Sequence, residues 1–157
     1  MSLRTLFVCV SLALCASMAA TVAAAVEHLD EYVGKMPAQL LNARAVGSET
    51  MINGLVFSEY IIGDNRVLLL RKGRGATGAV ADAMLRPKTE PGESFFSPNL
   101  CSLGRRSKLR VFAIASHADG KDRHHARAAW QINLKTQRFE SANPHDVKCF
   151  DEAMLAR

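Results

Sequence analysis

The side chains best suited to chemistry gather between positions 116 and 125, where Ser116, His117, Asp119, Asp122, His124 and His125 crowd one short stretch. Imidazole and carboxylate are good ligands for zinc or copper, so His117, His124 and His125 are the candidate metal ligands, provided the segment folds back as a loop. On a strand, adjacent histidines point to opposite faces, which would part His124 from His125. The spacing matches no zinc motif, and the competing reading is a solvated hairpin tip. Ser116 or Asp119 beside His117 keeps a hydrolase open as the alternative function. The chain has no G-x-S-x-G elbow and no H-E-x-x-H helix. Gly73 to Gly78 lacks the lysine of a phosphate loop, and Glu90 and Glu93 sit in a proline-rich stretch where acids serve solubility. No catalytic residue is assigned and no cofactor is expected.

Charge carries more information than any motif. Between Cys101 and Arg127 stand seven basic residues, Arg105, Arg106, Lys108, Arg110, Lys121, Arg123 and Arg127, against Asp119 and Asp122. On one face they would attract an acidic protein or an anionic envelope polymer, with a strong salt dependence. A second group, Arg66, Arg71, Lys72 and Arg74, flanks an expected strand. Seven Phe, two Tyr and one Trp offer few rings for stacking bases, and export also disfavours nucleic acid as a partner.

The N-terminus reads as an address. Arg4, the apolar run Leu6 to Leu14 and Ala23-Ala24-Ala25 form a secretory signal peptide with an A-x-A cleavage site, so residues 1–25 are expected to be removed. The run is too interrupted for a retained transmembrane anchor. Removal takes away Cys9 and Cys15. The two cysteines left, Cys101 and Cys149, are expected to form one disulfide in an oxidising compartment.

The elements that would position these groups make one domain, 26–157. Leu29, Tyr32, Val33 and Met36 recur at helical spacing and predict an amphipathic helix from Val26, with a second helical piece from Pro37 to Val46. Leu55 to Ile62 and Arg66 to Arg71, separated by Gly63-Asp64-Asn65, predict a hairpin. Val67 to Leu70 is apolar at every position, as suits a strand covered on both sides. Ala-rich Ala76 to Leu85 predicts a helix ended at Arg86-Pro87. Pro87 to Pro98 reads as a surface loop whose Phe95 and Phe96 tuck onto the core. Leu109–Ala115, Ala128–Leu134 and Arg138–Ala142 predict strands, and Val147 to Cys149 is expected beside the segment preceding Leu109.

The expected fold class is therefore α+β: an N-terminal helix or helix pair packed on an antiparallel sheet of about five strands, with one disulfide. By analogy of element order alone, this resembles the helix-on-curved-sheet arrangement of cystatin-like folds. The expected function is that of a small secreted or periplasmic, non-catalytic binding or accessory protein. The alternative is a small hydrolase or metal-binding enzyme using the 116–125 hairpin.

Overall fold

The computed structural model describes residues 25–73, 77–104, 107–108, 110–116 and 124–151. All of the expected leader but Ala25 lies outside these residues. The described chain forms eleven strands, and every pairing is antiparallel. The first sheet runs β1 (Arg44–Ile52), β2 (Leu55–Ile62), β3 (Asn65–Lys72), β4 (Ala79–Leu85) in sequence order. The second contains β5 (Glu93–Phe96), β6 (Cys101–Leu103), β7 (Ser107–Lys108), β8 (Val111–Ser116), β9 (His124–Asn133), β10 (Arg138–Ala142) and β11 (Val147–Cys149).

Local chemistry explains the first sheet. Asn53 and Gly54 both take positive φ, 48° and 83°, which is the backbone a two-residue turn needs to match strand twist, and β1 folds onto β2 there. The next turn, at Gly63-Asp64, closes the expected hairpin with Ile62 opposite Asn65. Strand β3 is covered on both sides as its sequence predicts. Leu68 and Leu70 face the second sheet with Phe57 and Met84, while Val67 and Leu69 pack beneath Leu40, Tyr60 and the partly buried Leu29 and Tyr32.

In the second sheet β9 is the trunk: β8 runs beside Ala126–Gln131, β10 beside Ala129–Asn133 and β11 beside His124–His125. Trp130 and Ile132 are buried and Gln131 and Asn133 less so, the alternation expected of a strand with one wet face. The two sheets enclose a core centred on Phe112, whose ring stacks on Trp130 at 5.7 Å and meets Phe57 at 5.4 Å. Behind the second sheet, Phe96, Val111, Ala113 and Val147 bury the Cys101–Cys149 disulfide. Cys149 lies directly opposite Cys101 across β11 and β6, so the last cysteine does stand beside the segment before residue 109.

Antiparallel pairing and the disulfide match the sequence reading; the single sheet of about five strands does not, because the described strands divide into sheets of four and seven whose apolar faces cover each other, and the helices do not either. Among the described residues, helical structure is confined to short 310 turns, including Asp30–Tyr32, Pro37–Gln39 and Pro144–Asp146. The expected helix from Val26 is instead an edge covering for β4: Leu29 N donates to Ala83 O at 2.9 Å, Gly34 N to Val80 O at 2.8 Å, and Val80 N to Lys35 O at 2.9 Å. Residues expected to continue the second helix to Val46 begin β1. Ala79 to Leu85 is a strand, because β3 needs a partner and both faces of β4 reach apolar surroundings, a tertiary gain that overrides alanine's helix preference. No helix lies across a curved sheet in the cystatin-like manner among these residues. The proline-rich loop contains a strand, β5, which buries Phe96 and half-buries Phe95.

Asp82 joins the sheets at one edge. Its fully buried carboxylate accepts the backbone N–H of Phe139 on β10 at 2.7 Å and Nδ1 of His28 at 3.0 Å. Arg138 Nε stands 3.7 Å away. A bulge in β4, between its pairings with Leu70 and Arg71, sets this residue toward the second sheet.

Candidate functional site

Where β4 ends, Pro87 supplies no N–H to extend the ladder and the chain turns out of the sheet. Arg86 is held at this corner. Its backbone N–H donates to Arg66 O at 2.8 Å, and its guanidinium lies over the Phe95 ring, 4.7 Å from the centroid. Arg86 Nε is 3.4 Å from Glu59 Oε1, an oxygen that also accepts from Arg66 Nη1 at 3.0 Å. Burial pulls the Arg86 guanidinium below the ordinary arginine value, Glu59 raises it again, and neighbouring Arg66 lowers it. The group stays cationic at neutral pH.

Two concavities share the wall Leu85-Arg86-Pro87-Lys88. One, about 270 Å³, reaches inward to Met84 and Trp130 and outward to Ala25 and Glu27. The other, about 400 Å³, extends past Arg66 to Asp64 and Thr89. Trp130 is only 2% exposed, yet its indole N–H finds no acceptor among the described residues. Arg86 Nε, despite its ion pair, makes no hydrogen bond there either. Buried indole N–H groups are nearly always paired, and the Trp130 and Arg86 Nε nitrogens both have almost no accessible surface. The lining includes no nucleophile paired with a base.

Sequence reasoning missed this corner. Its signals were Arg86 and Lys88 flanking a proline and the only tryptophan on an alternating strand.

The candidates it did name are dispersed. His117 lies outside the described residues. His124 is buried with its ring stacked on Phe96 at 5.3 Å and Nε2 3.2 Å from Asp151 Oδ1, whereas His125 is exposed. The two are neighbours on β9 and point to opposite faces, so they do not share an ion. Among the described residues no group of three His, Cys, Asp or Glu side chains is placed to hold a metal. Ser116 ends β8, exposed.

Of the basic set, Arg105, Arg106, Lys121 and Arg123 lie outside the described residues. Lys108 is on the short strand β7 that ends the second sheet, and Arg110 is exposed. Arg127 is committed to Glu93, donating from Nε to one carboxylate oxygen and from Nη2 to the other at 2.8 Å.

In the second basic group Arg74 lies outside the described residues, Lys72 is exposed, and Arg66 pairs with Glu59. Arg71 corrects the expectation of a surface charge. It is fully buried, donates to Ser58 Oγ at 3.2 Å and to Glu49, and lies 5.8 Å from the Tyr60 ring centroid. A register shift in β1 between Val46 and Thr50 accompanies Glu49's reach to it.

The Glu93–Arg127 fork makes a pH prediction. The Arg127 hydrogen bonds, with a backbone bond near Glu90, hold the Glu93 carboxyl below its usual value. A folded value below the unfolded one contributes stability above the unfolded value and loses it as pH falls through the folded one, so the effect is confined to the acid range. Carboxyl NMR titration will give Glu93 a midpoint below that of ordinary glutamates. Arg127→Gln will move it upward; an unchanged midpoint would show that the fork does not form in solution.

No family model matches the chain, nor does any curated protein or solved structure. No helix among the described residues is long and apolar enough to cross a membrane.

Proposed function

We propose that the chain is an exported, non-catalytic binding protein that captures a carboxylate-bearing partner at the Arg86 corner. The observation that carries this reading is the convergence of Arg66, Arg86 and Lys88 on two adjoining concavities that share one wall. Arg86 is already oriented by Phe95 and Glu59, so little of its freedom remains to be lost on binding. Processing after Ala25 strengthens the case: it removes Ala25 from the wall of the inner concavity and leaves the α-ammonium of Val26 next to Glu27, offsetting that charge. The basic residues around positions 105–127 then serve long-range attraction rather than the contact itself.

The test is titration of the exported chain with polyglutamate at low and physiological salt. Binding is expected at low salt and is expected to weaken as salt rises. Replacing the exposed Arg66 and Lys88 by serine should weaken it about five-fold, the scale of two surface charges. The triple variant Arg105→Ser, Arg106→Ser, Arg110→Ser should lose less at equilibrium. Absence of binding at low salt overturns the function, and loss confined to the triple variant overturns its placement at Arg86.

A further inference from the structure

The second sheet carries a row of polar residues on one face. Glu93 on β5 pairs with Ser116 on β8, Lys148 on β11 pairs with His125 on β9 and, on its other side, with Ser102 on β6, and Ser102 in turn stands opposite Lys108 on β7. Ser116 and His125 join the two halves, since they adjoin the paired Ala115 and Ala126. Directly opposed residues of antiparallel strands share a face, so the row crosses the sheet from β5 to β7 without a break. Their chain neighbours mark the side: Ala115, Ala126, Val147, Cys149, Cys101 and Leu103 pack in the layer around the disulfide, on the other face. Ser116, His125 and Lys148 are exposed and Ser102 is half-buried. None of these four side chains makes a hydrogen bond or ion pair among the described residues. The acid in the row, Glu93, is already neutralised by the Arg127 fork.

We propose that this row binds a linear acidic polysaccharide with one uronate for every two sugars, lying across the strands, a partner beyond the one assigned to the Arg86 corner. Spacing selects the polymer. Neighbouring strands lie about 4.8 Å apart, close to the advance of one sugar along an extended β-linked chain. Positions 148 and 108 are two strands apart, about 10 Å, with Ser102 between them. Carboxylates on alternate sugars therefore meet a lysine position each, and the sugar between them meets a hydroxyl. Chemistry agrees with spacing, because an ammonium only donates, as a carboxylate requires, whereas serine and imidazole can both give and take a hydrogen bond, as sugar hydroxyls require. A phosphate chain carries charge at every unit and would set much of it opposite neutral side chains. The row holds no aromatic side chain, so affinity rests on charge and hydrogen bonds and falls with salt.

The exported chain, labelled with nitrogen-15, is titrated with a hyaluronate oligosaccharide, with a neutral N-acetylglucosamine oligomer of the same length, and with polygalacturonate, which has a carboxylate on every sugar. Hyaluronate is expected to shift the backbone amides of Ser116, His125, Lys148 and Ser102 together and saturably, and to bind more tightly than either comparison chain. Lys148→Gln should weaken it about three-fold, and Lys108→Gln combined with Lys148→Gln about ten-fold, the scale of one and two exposed charges. Lys148→Arg keeps the charge and should bind as the parent does, which separates loss of the contact from loss of the fold. Arg66→Ser combined with Lys88→Ser should leave hyaluronate binding unchanged.

Equal binding of the neutral oligomer would overturn the proposal by showing that charge is not read. Polygalacturonate binding as tightly as hyaluronate would overturn the alternate spacing, and with it the choice of polymer. Silence of the four amides, or a loss in the Arg66 and Lys88 variant as large as that in Lys148→Gln, would overturn the placement on this row. Polyglutamate capture at the Arg86 corner is measured separately and survives any of these outcomes, so the two failures are told apart.

Discussion

Replacing Cys101 and Cys149 together by serine will lower the free energy of unfolding by about 4 kcal/mol, the chain-entropy value for the 48-residue separation the bridge spans. The effect is large because of where the bridge lies. Strands β6 and β7 reach the rest of the second sheet through β11, and β11 touches the trunk strand β9 at only Lys148 and Cys149. Both sulfurs are buried behind Ala113, Ala129 and Val147, so serine at these positions also places hydroxyls in an apolar layer. Urea unfolding of the oxidised parent and the double variant gives the measurement. At a slope of about 2 kcal/mol per molar, the midpoint should fall by roughly 2 M. A fall equivalent to less than about 1 kcal/mol would mean that the β6–β7–β11 lobe holds its place without the bridge.

Asp82→Ala is expected to cost about 3 kcal/mol, for a different reason. The substitution removes the carboxylate that accepts the Phe139 N–H at 2.7 Å. It also takes the hydrogen-bond partner from His28 and a charge partner from Arg138, whose guanidinium otherwise bridges Asp82 and Asp30. The loss should be local before it is global. Hydrogen exchange at the Phe139 amide will accelerate more than at Phe112 or Leu68, which lie inside the sandwich, and thermal unfolding will report the total. Asp82→Asn retains an acceptor of the same shape and should cost about half as much. If alanine and asparagine prove equally mild, the two sheets are held by their apolar faces alone.

What could be read early in the chain followed from interactions between near neighbours. Turn residues at Gly63-Asp64 and alternation at Trp130, Gln131 and Ile132 placed two hairpin strands and the wet face of β9 correctly, since a pleated strand puts successive side chains on opposite faces whatever surrounds it. The opposite outlook of His124 and His125 came from the same rule. Asn53-Gly54, the strongest hairpin signal present, would have placed β1 as well had it been weighed against the helical spacing before it. The expected helices failed where spacing and alanine content stood in for packing. Residues 26–35 complete the edge of β4, and β4 completes β3, so each takes its conformation from a partner remote in sequence.

The amino-acid sequence by itself determined the oxidisable pair, the alternating strands, the turn positions and the excess of positive charge, all of which depend on composition or on contacts a few residues apart. Only the tertiary structure decided that Arg71 would be an interior cation and Arg86 a cleft cation, and that the single tryptophan would be buried with no acceptor for its N–H among the described residues. Burial of a charge and the meeting of β4 with β9 across a sandwich depend on which faces pack together, and that choice is made by the whole apolar surface at once rather than by any local run of residues.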